Sequence, residues 1–325
     1  MDRTRCRSGV LTGVAALALS LGAVRADTVP VTSLRAARWL APGVDVARTL
    51  SRRPAECLRR PADPEAAYLV EVGRAAFRDP LLLGGQAARA GVACETCHRN
   101  GHTNPAFFFP GVSGAPGTAD VTSFVFSSHR GDHIDDPRPI PDLGGPKALL
   151  KVSQAPGSPA LKTFIRGLVT EEFDGARPPD AVLQGLAAYV RALNPVACAT
   201  ATSEPVTAGA AIGDVRRAIR AGLGALRRRD AETAAVMIQA ARAQLGDLAE
   251  RYVGPDLAAE RGGVILAARR LGDIAAEFRR LAPSASSHLA AWLARSDVWA
   301  APILRAEPRS LFDPNRLVVA LKSPP

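Results

Sequence analysis

Five consecutive residues carry the clearest chemical signal of the chain. They read Cys94-Glu95-Thr96-Cys97-His98, so two thiols three positions apart are followed directly by an imidazole. This CxxCH spacing is the one by which c-type haem is attached, because on a tight helical turn both thiols reach the two vinyl groups of one porphyrin. The imidazole of the next residue then binds the iron from one face. The motif predicts one covalent haem c on Cys94 and Cys97, with His98 as the proximal iron ligand.

Two other uses of a CxxC pair compete with haem attachment. A zinc site needs further ligands, but no second Cys pair or His pair at ligand spacing follows in the chain. A redox-active CxxC motif is disfavoured because His98 comes directly after the second cysteine. Haem attachment is therefore the interpretation that the sequence favours.

The second axial position of such an iron needs a ligand from elsewhere in the chain. His129 is the first candidate and His133 the second, because both lie far enough past the motif for the chain to wrap around the ring. The apolar residues 124–126 could anchor His129 against the ring face. Met237 lies in a distant apolar helical segment and is explained as a core residue, while His102 follows the motif too closely. An open or water-bound position remains the alternative.

The residues around the motif match a pattern from one family of haem proteins. A segment with Gly, Phe, Asp and Pro at 72–81 leads into the motif at 91–98, a Gly-rich loop follows at 114–122, and a closing helix spans 182–193. Over about residues 65–195 the chain thereby resembles the bacterial di-haem cytochrome c peroxidase and methylamine-utilisation haem enzyme superfamily. The resemblance implies a cytochrome c-like haem domain.

The haem count departs from that family. Its members use two haems, whereas this chain has one CxxCH and no cysteine after Cys198. Peroxidase turnover of the family type would therefore lack an internal donor for the second electron.

The N-terminus has the layout of a secretory signal peptide. Arg3, Arg5 and Arg7 precede an apolar run over 10–24, and cleavage is expected after Ala26. The run is shorter than the roughly 20 residues that span a bilayer, so we expect no transmembrane segment. The sequence predicts an exported protein, periplasmic or otherwise outside the cytoplasm.

Export leaves two cysteines outside the motif in a compartment where disulfides persist. These are Cys57 and Cys198, which flank the haem domain. The first and last helices of the cytochrome c fold implied by the resemblance cross each other, and we therefore predict a Cys57–Cys198 disulfide. Two unpaired thiols are the alternative.

Composition and periodicity predict a mainly α protein in several parts. Hydrophobic residues make up 47% of the chain and aromatic residues only 5%, which favours Ala-rich helices over a β-sandwich. Asp230 and Ser284 are predicted helix N-caps. The predicted parts are a signal peptide (1–26), a lead-in segment (27–63), a cytochrome c-like haem domain (64–204), an antiparallel helical bundle (205–300) and an extended tail (301–325).

Charge is distributed unevenly between these parts. The formal net charge is +10, and residues 205–325 hold 18 basic and 12 acidic side chains against 19 and 18 in residues 27–204. The basic bundle, with its Arg run at 227–229, could dock an acidic redox partner protein or an anionic membrane surface, although a solvated helix end is the alternative explanation of that run. Nucleic acid is disfavoured by export. Near the motif, candidate partners for the haem carboxylates are Arg78, Arg99, Arg130 and Lys147.

Together these observations predict an exported mono-haem c-type cytochrome that transfers electrons. Two alternatives stay open. One is a peroxidase-like haem oxidoreductase with an external electron donor, and the other is a haem-based sensor or scaffold in which the bundle carries the output.

Overall fold

The computed structural model describes residues 34–131, 133–198 and 202–322, and over these the protein is mainly helical, as predicted. The predicted signal peptide, residues 1–26, lies outside the described residues. The helices are α1 (Val46–Ser51), α2 (Pro64–Ala76), α3 (Gly85–Ala90), α4 (Cys94–Cys97), α5 (Ala160–Gly167), α6 (Asp180–Ala192), α7 (Ala208–Arg227), α8 (Ala231–Glu250), α9 (Ala258–Arg279), α10 (Ala285–Ala294), α11 (Ser296–Ala306) and α12 (Pro314–Lys322). The short strands are β1 (Arg52–Pro54), β2 (His98–Arg99), β3 (His102–Thr103), β4 (Thr118–Ala119), β5 (Arg138–Pro139) and β6 (Ser203–Pro205).

Helices α2 and α6 cross at two glycines. Asp63 caps the start of α2 by accepting a backbone N–H through its side chain. At the crossing, a Cβ added to Gly73 would overlap the backbone carbonyl of Gly185, so only glycine allows this approach. One turn further along each helix, the rings of Phe77 and Tyr189 lie 5.1 Å apart. The crossing therefore fixes the ends of the region that contains the CxxCH motif.

The long helices after residue 207 pack in sequence, α7 against α8 and α8 against α9. Each turns an apolar stripe inward, with Ile212, Val215 and Ile219 at helical spacing on α7 and Met237 and Leu245 on α8. All five side chains are fully buried. The periodic pattern predicts helices at about 207–229, 231–252 and 256–281, and α7, α8 and α9 agree with these ranges to within a few residues at their ends.

The two predicted caps in this region have different outcomes. Asp230 caps α8, because its carboxylate accepts the backbone N–H of Thr233 at 2.9 Å. Ser284 does not cap α10, and that prediction is wrong. The backbone of Ser284 is already helical, with φ −74° and ψ −16°, whereas a capping residue is typically extended so that its side chain can reach back.

The C-terminal segment 301–325, predicted as an extended tail, is instead mostly helical where the structure describes it, in α11 and α12, with a short turn over 310–313 between them. The Pro content of this segment suggested a non-helical chain. However, Ala300, Ile303 and Ala306 recur at helical spacing and are fully buried, and α11 continues through Pro302. Burial of the apolar face thus outweighs the hydrogen bond that proline removes.

The lead-in segment is tied to the chain that follows α6. Strand β1 pairs antiparallel with β6, and the N–H of Asn194 donates to the carbonyl of Cys57 at 2.7 Å. Cys57 and Cys198 form a disulfide, with Cα atoms 5.1 Å apart. The predicted pairing is confirmed.

Over the described residues, one large buried core spans both parts of the chain, beside two smaller apolar clusters. It contains Val72 and Tyr189 from the first part of the chain together with Ile219 and Leu271 from the second, because α2 packs against both α7 and α8. The regions predicted as haem domain and bundle therefore share one core across residue 204. Among the residues that the structure describes, no helix is both long and apolar enough to cross a membrane.

Candidate functional site

The CxxCH motif starts in the single helical turn α4. The hydroxyl of Thr96 accepts the backbone N–H of Ala93 at 3.0 Å and so closes the start of the turn. Asn104 stabilises the other side of the turn. Its side-chain amide donates to the Thr96 carbonyl and its backbone N–H donates to the Cys97 carbonyl, both at 2.9 Å. The turn is thereby held by its own side chains and by the strand that returns past it.

A tight hairpin follows the motif. Strands β2 and β3 are joined by Asn100 and Gly101, which have φ angles of 50° and 84°, the positive values that a type I′ turn requires. The segment after β5 docks on this hairpin, since the N–H of Leu143 donates to the Gly101 carbonyl at 2.9 Å. Thr103 also donates its hydroxyl to the carbonyl of Ile140 at 2.8 Å. The hairpin therefore brings residues 140–143 beside the imidazole of the motif.

The imidazole of His98 is oriented by that neighbouring segment. Its Nδ1 lies 3.0 Å from the carbonyl oxygen of Pro141. A carbonyl only accepts hydrogen bonds, so Nδ1 carries the proton and Nε2 keeps a free lone pair. Burial lowers the pKa of His98 to about 4, more than the Pro141 hydrogen bond raises it, and the ring is neutral near pH 7. His98 thus offers Nε2 as a ligand atom.

The two cysteines of the motif are free thiols that are not joined to each other. Burial raises the pKa of Cys94 and that of Cys97 to about 12, so both are protonated at neutral pH. A redox-active CxxC pair depends on a thiol pKa lowered toward neutrality, and this environment does the opposite. In the stretches that the structure describes, no cluster of three or more His, Cys, Asp or Glu side chains could hold a metal ion.

The candidate distal ligands lie on an exposed loop. His129 is exposed, and its backbone N–H donates to the Ser127 hydroxyl at 3.1 Å. His133 is also exposed, and its ring lies 5.7 Å from the ring of Phe124. Among the described residues, neither histidine contacts the motif. Their role as ligands stays a prediction. Met237, by contrast, is fully buried in the core, where the sequence placed it.

All four basic residues proposed to pair with haem carboxylates have other partners. Arg130 forms an ion pair with Glu171 at 2.5 Å. Lys147 donates to two backbone carbonyls, at 2.6 and 3.0 Å. Arg78 belongs to a buried charged cluster, and within the described part of the chain the guanidinium of Arg99 donates only to the backbone carbonyl of Arg52, at 3.0 Å. Of the four, Arg99 retains the most unused donor capacity.

The buried charged cluster was not predicted from the sequence. Glu56 accepts from Arg74 at 2.6 Å, from Arg78 at 2.9 Å and from the hydroxyl of Tyr189 at 2.8 Å. Arg74 also bonds Asp214 on α7 at 2.5 Å. Burial alone would raise the pKa of Glu56, but the two guanidinium groups outweigh it and hold that pKa well below its usual range. The cluster ties α2, α6, α7 and the lead-in segment together.

A sequence signal for this cluster does exist. Arg74 lies on the buried side of α2, Arg78 follows four residues later just past the end of that helix, and Asp214 lies on the otherwise apolar face of α7. Charged residues on a face that periodicity assigns to the core are buried only when paired. The pattern could therefore have indicated an ion network, though not which residues pair. Arg78 also donates to the side chain of Asn100 at 2.8 Å, and so the cluster reaches the hairpin after the motif.

Comparison with protein-family models, with curated proteins and with solved structures finds no match for the chain.

Proposed function

We propose that the protein is an exported mono-haem c-type cytochrome that transfers electrons. The observation that carries this proposal is the orientation of His98, whose Nδ1–H donates to the Pro141 carbonyl and leaves Nε2 free beside two neutral thiols. Iron-bound histidines in proteins are commonly oriented by such a hydrogen bond from the second ring nitrogen. The donor set fits one covalent haem.

The helical arrangement supports a cytochrome c-like fold around the motif. In such a fold the first and last helices pack on each other, and α2 and α6 cross at Gly73 and Gly185 on either side of the motif in sequence. The consecutive packing of α7, α8 and α9, joined by short connections, supports the antiparallel bundle as the second part.

Each residue of the motif has a distinct task in this proposal. Cys94 and Cys97 would hold the porphyrin through thioether bonds, and His98 would bind the iron through Nε2. Pro141 keeps the imidazole ring in its ligating tautomer. When bound, haem supplies reversible one-electron exchange. His129 remains the first candidate for the opposite axial position and His133 the second.

The experiment uses the full-length chain, expressed in a bacterium with a c-type haem maturation system. We expect a periplasmic, coloured protein whose haem stays attached after acid-acetone extraction and denaturing electrophoresis. Its mass should correspond to cleavage after Ala26 plus one haem. The double variant Cys94→Ser/Cys97→Ser should lose the haem, whereas the matched variant Cys57→Ser/Cys198→Ser should keep it. A colourless secreted protein would overturn the proposal.

Visible spectra separate electron transfer from the peroxidase-like alternative. A low-spin, six-coordinate haem that reacts with neither peroxide nor carbon monoxide supports electron transfer. A high-spin haem that reacts with both supports an oxidoreductase with an external donor. His129→Ala should convert the low-spin spectrum to high spin, while the matched variant His133→Ala should not. The opposite result would assign the ligand to His133.

An acidic partner protein would be recognised by the basic C-terminal part in this proposal. Its excess of basic over acidic side chains favours an electrostatically steered encounter, whose rate should fall steeply as salt rises. If the rate at which candidate donors reduce the protein did not depend on salt concentration, this docking role would be contradicted.

A further inference from the structure

A cavity of about 280 Å³ lies behind the CxxCH turn. Its walls come from the lead-in segment, from α7 and α8, and from the turn itself through Glu95, Thr96 and Arg99. Cys94 and Cys97 lie three positions apart on one side of α4, and His98 and Arg99, which are neighbours in β2, point to opposite faces of that strand. Cys94, Cys97 and His98 do not line this cavity. It is therefore separate from the side of the turn proposed to face haem.

The carboxylates that line the cavity are already bonded to other groups. Asp247 and Glu250 pair with Arg35 at 2.7 and 2.5 Å, and Asp214 pairs with Arg74. Glu95 accepts a backbone N–H at 3.0 Å. None of these carboxylates forms an ion pair with Arg99 or Arg251 among the described residues, although Glu95 acts electrostatically on Arg99 and Asp247 on Arg251.

Two of the lining arginines have no carboxylate partner within ion-pair distance among the described residues. The guanidinium of Arg251 donates only to the backbone carbonyls of Leu50 and Leu311, at 2.8 and 2.9 Å. Arg99 donates only to the carbonyl of Arg52. Burial lowers the pKa of Arg251 to about 10 even though Asp247 and Glu250 raise it, and the nearby charge of Arg99 acts in the same direction as burial. A buried cation of this kind is stabilised by an anion.

A third polar group in the cavity has an unused hydrogen-bonding atom. The side chain of Gln244 lines the cavity and is 8% exposed, and the oxygen of its amide has no partner among the described residues. An unpaired buried amide costs free energy unless a bound molecule or water satisfies it. Gln244 lies on α8, as does Asp247, and Arg251 follows directly after that helix. The polar groups therefore converge from one end of α8.

The rest of the wall is apolar. Leu34, Trp39, Leu50, Leu248 and Phe312 contribute to it. A dry cavity of about 150 Å³ is enough to hold benzene. The present volume, nearly twice as large, suits one ring or a branched chain together with a small polar head.

We propose that this cavity binds a small organic monocarboxylate with an apolar body, whose carboxylate lies between Arg99 and Arg251 and whose second polar group bonds Gln244. The cavity should therefore favour ligands that carry a negative charge at one end, and it should exclude ligands whose apolar part is much larger than one ring. This site goes beyond the proposed electron transfer and does not depend on haem.

The test measures binding to the full-length protein by calorimetry and by ligand-observed NMR, with three probes. Phenylacetate carries both the charge and the ring, phenylacetamide carries the same ring without charge, and inorganic phosphate carries charge without a ring. We expect phenylacetate to bind about tenfold or more tightly than phenylacetamide, because a charge-assisted contact to arginine is lost in the amide. Equal affinity of the two, or binding by phosphate alone, would overturn the proposal.

Variants locate the site. Arg251→Gln should weaken phenylacetate binding about tenfold or more, while Arg242→Gln, an exposed arginine on α8, should leave it unchanged. Because Arg251 also bonds two backbone carbonyls, Ala211→Phe on α7 serves as a second variant that fills the cavity without removing a hydrogen bond. It should abolish binding. Phenylacetate affinity that survives both Arg251→Gln and Ala211→Phe would show that the ligand binds elsewhere.

Discussion

The Nδ1 atom of His98 lies 3.0 Å from the carbonyl oxygen of Pro141, 43 positions later in the chain. The contact depends on the hairpin at Asn100 and Gly101, on which the segment that contains Pro141 docks. Because the carbonyl cannot donate, the contact defines the tautomer of the ring. The fold therefore leaves Nε2 as the ring nitrogen with a free lone pair.

This tautomer is a prediction that NMR can check. In ¹⁵N-labelled protein, both without haem and in the ferrous haem-loaded state, we expect the His98 ring proton on Nδ1, with slow exchange and cross-peaks to residue 141. The hydrogen bond and the partial burial of the ring slow the exchange. A proton on Nε2 in the haem-free protein would contradict the structural interpretation. His102, which is bonded to a carboxylate rather than a carbonyl, provides the comparison within the same spectrum.

Replacing Glu56 should destabilise the fold strongly. Glu56→Gln leaves Arg74 and Arg78 buried with one carboxylate fewer, and breaking a buried ion pair from one side costs about 3–5 kcal/mol in free energy of unfolding. Urea titration at pH 7 measures this loss. The matched control is Glu65→Gln, which removes an exposed ion pair with Arg228 and should cost about 1 kcal/mol or less. Similar losses in both variants would contradict the structural importance of the cluster.

The same carboxylate makes stability depend on pH. The pKa of Glu56 in the folded protein is lowered below its unfolded value, because Arg78 and Arg74 outweigh the opposing effect of burial. Its contribution is therefore present above the unfolded pKa of about 4.3 and is lost as the pH falls toward the folded value. We expect the stability difference between the natural protein and Glu56→Gln to shrink below about pH 4. A difference that stays constant from pH 7 to pH 3 would contradict this assignment.

How much of this arrangement was predictable depends on the range of the interactions. The helix α8 and its cap Asp230 follow from local signals, and the Cys57–Cys198 pairing followed because few other thiols were left. Arg78 was expected near a haem carboxylate, yet it bonds Glu56, because long-range partners of a buried arginine are not encoded in local spacing. Helix α11 was not expected, because proline usually ends a helix, whereas here the buried apolar positions around Pro302 keep the helix continuous.

The glycine crossing of α2 and α6 yields a packing prediction. Gly73→Ala places a Cβ where it overlaps the Gly185 carbonyl, so the two helices must separate. We expect a loss of about 3 kcal/mol in free energy of unfolding. Gly262→Ala on α9 is the matched control, since a Cβ there meets nothing within 4 Å. It should raise stability by about 0.5–1 kcal/mol through helix propensity. Thermal or urea unfolding distinguishes the two, and a neutral Gly73→Ala would contradict the close approach.

The disulfide between Cys57 and Cys198 should contribute a large part of the stability. It closes a loop with a sequence separation of 141 residues, and constraining the unfolded chain over such a length stabilises by about 4–5 kcal/mol on the chain-entropy model. Cys57→Ser/Cys198→Ser should therefore unfold at much lower urea concentration than the natural protein. A thiol reductant should move the natural protein toward the variant and leave the variant itself unchanged. A natural protein that unfolds at the same urea concentration with and without full reduction of this bond would show that the loop is already restricted in the unfolded state.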